Sequence, residues 1–332
     1  MPPKLAFSPP ILNSASPWAT DLSCLEPLYA SPSTGAITTR TCTLDGFSHD
    51  DNAHRYLFFS PSSPGQHTGS LSASSPILPF PPSAPSATSA SLNTLGYSPH
   101  PLETYLSYIR SLVETCAPAT KPIILSVTGT PADIHARYTA LHALQTELGT
   151  RAPPLALEIN LSCPNICGAP PPAYDAAALQ GYLAALPAPP ALPVGIKTPP
   201  YTHAGQFAML RDALRAADAG AKLAFVTATN TLGGCVALDA GGESVLGPMA
   251  GGMAGPPLHL LALGNVQAIR ALLDADPELS GIDVIGVGGV SDVEGYRRMR
   301  AAGARFVAMA TAVGQRGIAV FDDIASEISY SN

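Results

Sequence analysis

The sequence predicts a (β/α)8 barrel, the TIM-barrel class of α/β fold, and three observations carry that prediction. Short apolar, β-branched runs alternate with longer Ala/Leu-rich segments of helical period, a pattern that indicates a parallel sheet with crossover helices. The last two strand-like runs end in loops of glycine and other small residues, where such barrels hold phosphate. Finally, 332 residues suit one barrel of about 250 residues with insertions. A doubly wound open sheet is the runner-up.

Taken in order, the strand-like runs are GAITT at 35–39, PIILSV at 122–127, LALEINLS at 155–162 and PVGIK at 193–197. KLAFVTAT at 222–229, IDVIGVGG at 282–289 and RFVAMAT at 305–311 follow. Helical candidates lie near 101–115, 131–148, 175–186, 203–219, 257–274 and 292–302. Seven strands are visible and an eighth is needed for closure. The reading puts the missing strand second in order, between 45 and 100. There the stretch 60–90 holds 17 Ser or Pro in 31 residues, a composition that disfavours regular structure. It is read as a low-complexity, mobile insertion within a single domain spanning 1–332.

Composition narrows the function classes. A net charge of −7 and a pI near 5.5, with no basic stripe, argue against a nucleic-acid partner. The amino terminus lacks a signal-peptide apolar core, and nowhere do 18 apolar residues run uninterrupted, so no membrane span is expected. Six cysteines, at 24, 42, 116, 163, 167 and 235, lack small-scaffold spacing and read as reduced thiols in a cytoplasmic protein.

Chemistry concentrates at strand ends. LEINLSCPNICGAP at 157–170 alternates apolar and polar residues, then delivers Asn160, Ser162, Cys163, Asn165 and Cys167 to the end of a strand. Cys163 and Cys167 stand in C-x3-C spacing without a second Cys or His pair, which is poor support for a metal. An inert buried thiol and an acid/base thiol both remain open for Cys163. Lys197 closes the strand PVGIK, where an ammonium can stabilise developing negative charge or merely snorkel. Asn230 and Thr231 bring an amide and a hydroxyl to the end of VTATNT. Gly286, Gly288 and Gly289 let the backbone turn sharply after a buried strand, and Ser291 and Glu294 have capping-box spacing. Ala310 and Thr311 precede a helix start after the last strand, and AGGMAGPP at 250–257 adds a glycine-rich stretch.

Together these residues resemble the dihydroorotate dehydrogenase family, in its soluble, fumarate-using class 1A branch, weakly before residue 120 and clearly from 155 to 317. NLSCPN at 160–165, Gly168 and AYD at 173–175 carry the most specific likeness. The resemblance implies FMN as cofactor, dihydroorotate and fumarate as substrates, a place in pyrimidine biosynthesis, a homodimer and no metal. It implies that Cys163 is the base taking a proton from C5 of dihydroorotate, and that Asn160, Asn165, Asn230 and Thr231 bind the substrate. Lys197 would lie at the flavin, and Gly251, Gly252, Gly288, Gly289, Ala310 and Thr311 would hold FMN. Asn13-Ser14-Ala15-Ser16 resembles the segment that packs against the flavin ring, so Ser14 and Ala15 join the cofactor set.

The chain also departs from the family. Arg40 stands for the family's lysine, and Arg and Lys differ in shape and hydration. Thr88, in TSASLNTLGY at 88–97, stands where the segment NSMGLPN would supply a substrate-binding Asn. A related FMN oxidoreductase acting on another small acid, or a non-catalytic flavin-binding paralogue, are the alternatives these departures leave.

Overall fold

The structure, a computed structural model, describes residues 1–68, 70–72, 88–116, 120–165 and 170–329. Eight parallel strands form the barrel: β1 Ile11–Asn13, β2 Ile37–Thr38, β3 Ile123–Val127, β4 Leu155–Asn160, β5 Val194–Thr198, β6 Phe225–Ala228, β7 Asp283–Val287 and β8 Phe306–Met309. Around the barrel the order is β1-β8-β7-β6-β5-β4-β3-β2, and a parallel bridge between Leu12 and Ala36 joins the two ends.

The eighth strand is therefore β1, at the amino terminus. It does not lie between 45 and 100. Three residues carry too little periodicity to be read as a strand, and the barrel supplies what local pattern lacks. At the seam the Asn13 side chain acts as a substitute strand edge. Its Nδ2 donates to the Thr38 carbonyl at 2.6 Å, and its Oδ1 accepts from the Thr38 N–H at 3.0 Å. Asn13→Ala leaves two buried backbone groups without those partners. We expect a loss of about 2–3 kcal/mol, measured as a lower denaturant midpoint at unchanged slope; a loss under about 0.5 kcal/mol would mean that the seam does not depend on this amide.

The helix α1 Leu22–Ala30 falls outside the predicted spans, whereas six others fall close to them: α2 Leu102–Thr115, α3 Pro131–Leu148, α4 Ala176–Ala184, α5 Ala204–Ala216, α6 His259–Asp274 and α7 Val293–Ala301. Two more, α8 Thr311–Arg316 and α9 Ala319–Ser329, follow β8. Thr130 and Asp133 form a reciprocal capping box at α3, with Pro131 at the first helical position. The Ser291/Glu294 box is not formed. Asp292 is the cap of α7, its carboxylate accepting from the Gly295 N–H at 2.7 Å, while Glu294 pairs with Arg297 one turn on.

Inside the barrel, small residues make room for large ones. A Cβ on Gly195 would stand 2.2 Å from the Phe225 ring, and Ala36, Ala156, Ala224 and Ala308 pack in the same cluster. Leu5 joins this cluster, and Phe7 packs on it with its ring stacked on Phe306 at 4.0 Å. Outward-facing Leu157 and Ile159 meet the helices, whereas Ala156, Glu158 and Asn160 alternate with them and point inward.

A second, antiparallel sheet stands apart from the barrel sheet. It joins Leu232–Cys235, Gly251–Ala254, Ala90–Asn93, Arg55–Ser60 and Ser63–His67, with Leu71–Ser72 pairing Arg55–Tyr56. Its strands come from the connections that leave the carboxyl ends of β2 and β6, which brings the sheet to that end of the barrel. This corrects the reading of 60–90 as irregular: 63–67, 71–72 and 90 are strand, and 73–87 lie outside the described residues. Trp18 helps fasten the sheet, stacking on Phe58 at 5.7 Å and meeting Tyr56 edge-on at 6.2 Å.

Candidate active site

Two cavities open at the carboxyl ends of the strands, beneath the antiparallel sheet. They share Ala15, Lys197, Asn230, Thr231, Ala254, Ala310 and Thr311, and so form one trough. The first contains ≈ 770 Å³ and the second ≈ 540 Å³ of space free of protein atoms, both open to solvent.

Cys163, Asn160, Asn165, Asn230, Thr231, Arg40 and Lys197 all line the first cavity. Residues distant in sequence converge because β2, β4, β5 and β6 all end there. Lys197 is buried and donates to Ser14 Oγ at 2.9 Å. Arg40 is buried too, donating through Nη1 to Thr20 Oγ1 at 3.2 Å and through Nη2 to the Gly96 carbonyl at 3.2 Å. His49 Nε2 stands 3.5 Å from Nη2, and its pKa is pushed down to about 4 by burial and by the positive charge of Arg40. It therefore accepts as a neutral imidazole. No described carboxylate lies within ion-pairing distance of Arg40 or Lys197, and no Asp or Glu lines this cavity. Burial lowers the pKa of both cations. Neither cation forms an ion pair among the described residues, although Glu158 acts on Lys197 from within the lumen, and two such desolvated positive charges suit an anionic ligand.

Burial raises the Cys163 thiol above its ordinary range. The Asn165 N–H, the charges of Lys197 and Arg40, and the Tyr97 hydroxyl pull it part of the way back. Asn165 Nδ2 donates to Asn93 Oδ1 and to the Leu95 carbonyl, each at 2.9 Å, and among the described residues its buried Oδ1 has no partner. Such an orphan acceptor fits a ligand that donates a hydrogen bond. Cys167 lies outside the described residues.

The second cavity is lined by Ser14, Gly288, Gly289 and Ser291, together with the shared Ala310 and Thr311. Gly288 (φ 137°) and Gly289 (φ 71°) adopt conformations that side-chain-bearing residues rarely take. A Cβ on Gly288 would also stand 2.5 Å from that of Ala262. The first N–H groups of α8, beginning at Thr311, have no earlier carbonyl within their own helix and are available to acceptors.

Three expected site residues are not at the cavities. Gly251 and Gly252 line neither; they are a strand of the antiparallel sheet, where a Cβ would meet Asn93 O at 2.6 Å and Thr231 Oγ1 at 2.1 Å respectively. Their smallness serves sheet packing, and Ala254 and Gly255, a few residues on, line the trough instead. Thr88 lines neither cavity, and its carbonyl accepts from Gln315 Nε2. Asn93 lines the first cavity. Asn93-Thr94-Leu95-Gly96 matches Asn-Ser-Met-Gly of the quoted segment, five residues beyond the register that chose Thr88. Trp18, Tyr56 and Tyr97 were also missed, because nothing local marks an aromatic as cavity-lining.

Among the described residues, no three His, Cys, Asp or Glu side chains are grouped to hold a metal ion, and no helix is long and apolar enough to cross a membrane.

Comparison with known proteins agrees with the geometry. The family described as dihydroorotate dehydrogenase matches residues 80–331. The chain is similar to the dihydroorotate dehydrogenase (fumarate) of Trypanosoma cruzi, 28% identical over 330 residues, covering 97% of this chain and 89% of that protein. It is 32% identical to a putative dihydroorotate dehydrogenase A (fumarate) of Streptococcus equi subsp. equi over 240 residues, 72% of this chain and 71% of that one. Lactococcus lactis subsp. lactis has a dihydroorotate dehydrogenase A (fumarate) 30% identical over 242 residues, 72% of each chain.

Proposed function

We propose, from the premise that this chain belongs to the dihydroorotate dehydrogenase family, that it oxidises (S)-dihydroorotate to orotate with FMN as cofactor and fumarate as acceptor. With this reading go, as the family resemblance implies, a place in pyrimidine (UMP) synthesis, a cytoplasmic location and a homodimer. One observation carries the reading: a thiol, several amides and two unpaired cations share a cavity that continues into a glycine-lined trough.

That trough suits FMN. Gly288 and Gly289 after β7 and the short connection through Ala310 and Thr311 after β8 let backbone approach a phosphate, and Lys197 sits where the two cavities meet, beside Ser14 and Ala15. Bound FMN supplies the acceptor for the hydride that leaves C6 of the substrate. The chain's own residues do the rest. Cys163, as the thiolate, takes the C5 proton; the C5–H electron pair then forms the C5=C6 double bond as the hydride departs. Arg40 faces the substrate's carboxylate with a guanidinium that no described carboxylate pairs. Asn160, Asn165 and Asn230 hold the ring by its polar edge, and the antiparallel sheet covers the site from above.

The test is an absorbance spectrum. The purified protein is expected to be yellow, to bleach when dihydroorotate is added without oxygen, and to regain colour with fumarate. A flavin indifferent to dihydroorotate would overturn the assignment.

For the cofactor end, Gly288→Leu should yield protein with less than about a tenth of the parent's flavin, because its side chain disturbs the loop against α6. Unchanged flavin content, measured after release from the protein, would move the phosphate elsewhere.

A further inference from the structure

Beneath the first cavity the barrel lumen holds a carboxylate that the chemistry above does not use. Glu158 precedes Asn160 by two residues on β4, so both side chains point inward, and it is only 2% exposed. Its register partner on β5 is Gly195, which has no side chain to intervene. Glu158 Oε2 thus accepts from Thr227 Oγ1 on β6 at 2.7 Å, while Oε1 accepts from Ser126 Oγ on β3 at 2.9 Å. Ser126 Oγ lies 2.9 Å from Thr41 Oγ1, and Asn160 Nδ2 lies 3.0 Å from that same Thr41 oxygen.

This chain of bonds has only one consistent direction. A carboxylate accepts and cannot donate, so Ser126 commits its single proton to Glu158. Ser126 can then only accept, and the Thr41 proton goes to it. Thr41 in turn can only accept, which demands an N–H from Asn160 and turns that amide with Nδ2 inward. Asn160 Oδ1 is meanwhile occupied, accepting from the Ser162 N–H at 3.2 Å, Ser162 Oγ at 2.9 Å and Asn230 Nδ2 at 3.3 Å. Among the described residues, the second Nδ2 proton of Asn160 has no partner, and Asn160 lines the cavity.

We propose that Glu158 is a positioning residue which, through Ser126 and Thr41, locks the Asn160 amide as a donor. It thereby makes the cavity floor select ligands that present a carbonyl or equivalent acceptor there. The proposal rests on reading the first cavity as the substrate site. Without the carboxylate anchor the hydroxyls can reverse, and the amide loses the acceptor that holds its Nδ2 end, keeping only the donors at Oδ1.

Two substitutions separate this relay from a merely structural role. Ser126 and Thr227 each give one hydrogen bond to the same carboxylate, and neither lines a cavity. Only Ser126 lies on the path to Asn160. Ser126→Ala should weaken orotate binding, titrated through the absorbance of the bound flavin, by roughly 3- to 10-fold. Thr227→Val should change it by less than about two-fold. Flavin content should hold in both. Thr41→Val combined with Ser126→Ala should be no worse than Thr41→Val alone, because one path is cut only once. Equal losses in Ser126→Ala and Thr227→Val, or additive losses in the double variant, overturn the relay.

A ligand-free measurement keeps the proposal separate from the activity. The side-chain 1H–15N signals of Asn160, identified by their loss in Asn160→Asp, should move in Ser126→Ala and stay in Thr227→Val. If the parent protein does not bind orotate, the substrate reading fails, yet these signals still decide the relay. Unmoved signals in Ser126→Ala overturn it.

Discussion

Cys163→Ala is expected to keep its fold and its flavin while the reduction of that flavin by dihydroorotate slows by about 10²- to 10⁴-fold, the usual cost of removing a general base. The thiol lines the cavity on a loop held by Asn165, whose amide is bonded to Asn93 and Leu95, so the alanine removes the sulfur without unfastening the loop. The pH dependence follows from the direction of the shifts. The working form of the base is the thiolate, and burial raises the thiol pKa, so the parent rate should climb with pH through and above the ordinary thiol range. Burial lowers the Lys197 pKa, so the cation is lost on the alkaline side earlier than an ordinary lysine would lose it. The expected profile is a narrow bell displaced to alkaline pH. Cys163→Ser should retain partial activity with its rising limb moved higher still, since a hydroxyl is the weaker acid. Anaerobic stopped-flow reduction measures all three proteins. A Cys163→Ala protein reduced as fast as the parent would make the thiol structural.

Lys197→Met should slow the same reduction by about 10²- to 10³-fold, the scale of removing one preorganised electrostatic donor, and should not lower the melting temperature. The two halves have one cause. Among the described residues the buried ammonium is bonded to one hydroxyl, Ser14 Oγ, and forms no ion pair, and its desolvation outweighs the attraction of Glu158 in the lumen. That arrangement weakens the fold and is kept where function needs charge. Methionine matches the length of the stem and removes the desolvation cost. Thermal unfolding and stopped-flow reduction on the same preparation check it. A melting temperature several degrees lower with an unchanged rate would make Lys197 a packing residue.

Much of the barrel was legible because its signals are local. Leu155–Asn160 reads as a strand from its own alternation, and Pro131–Leu148 as a helix from its Ala/Leu-rich composition and spacing. The strand ends that carry Asn160, Lys197 and Asn230 were legible for a related reason: polar residues at the close of an apolar strand have few structural uses. Elsewhere, local signal misled. The serine- and proline-rich composition around 60–90 hid strands that pairing stabilises: Ser63–His67 folds back on the neighbouring Arg55–Ser60, and Ala90–Asn93 pairs with Arg55–Ser60 and with Gly251–Ala254, both distant from it in the chain. The glycines of AGGMAGPP looked like a cofactor loop because glycine marks any close approach, and here what comes close is Asn93 and Thr231.

What the sequence by itself determined was the alternation of strand and helix, the polar strand ends and the small-residue loops after the last two strands. Each depends on neighbours within a few residues, where backbone period and side-chain polarity act directly. Only the tertiary structure decided that Ile11–Asn13 completes the barrel, that Asn93 rather than Thr88 reaches the cavity, and that Glu158 sits under Asn160 at the end of a hydrogen-bonded chain. Thr41 and Asn160 are 119 residues apart, and Glu158 and Thr227 are 69 apart. A hydrogen bond needs its two atoms within about 3 Å, a condition that barrel closure meets and that no reading of adjacent residues contains.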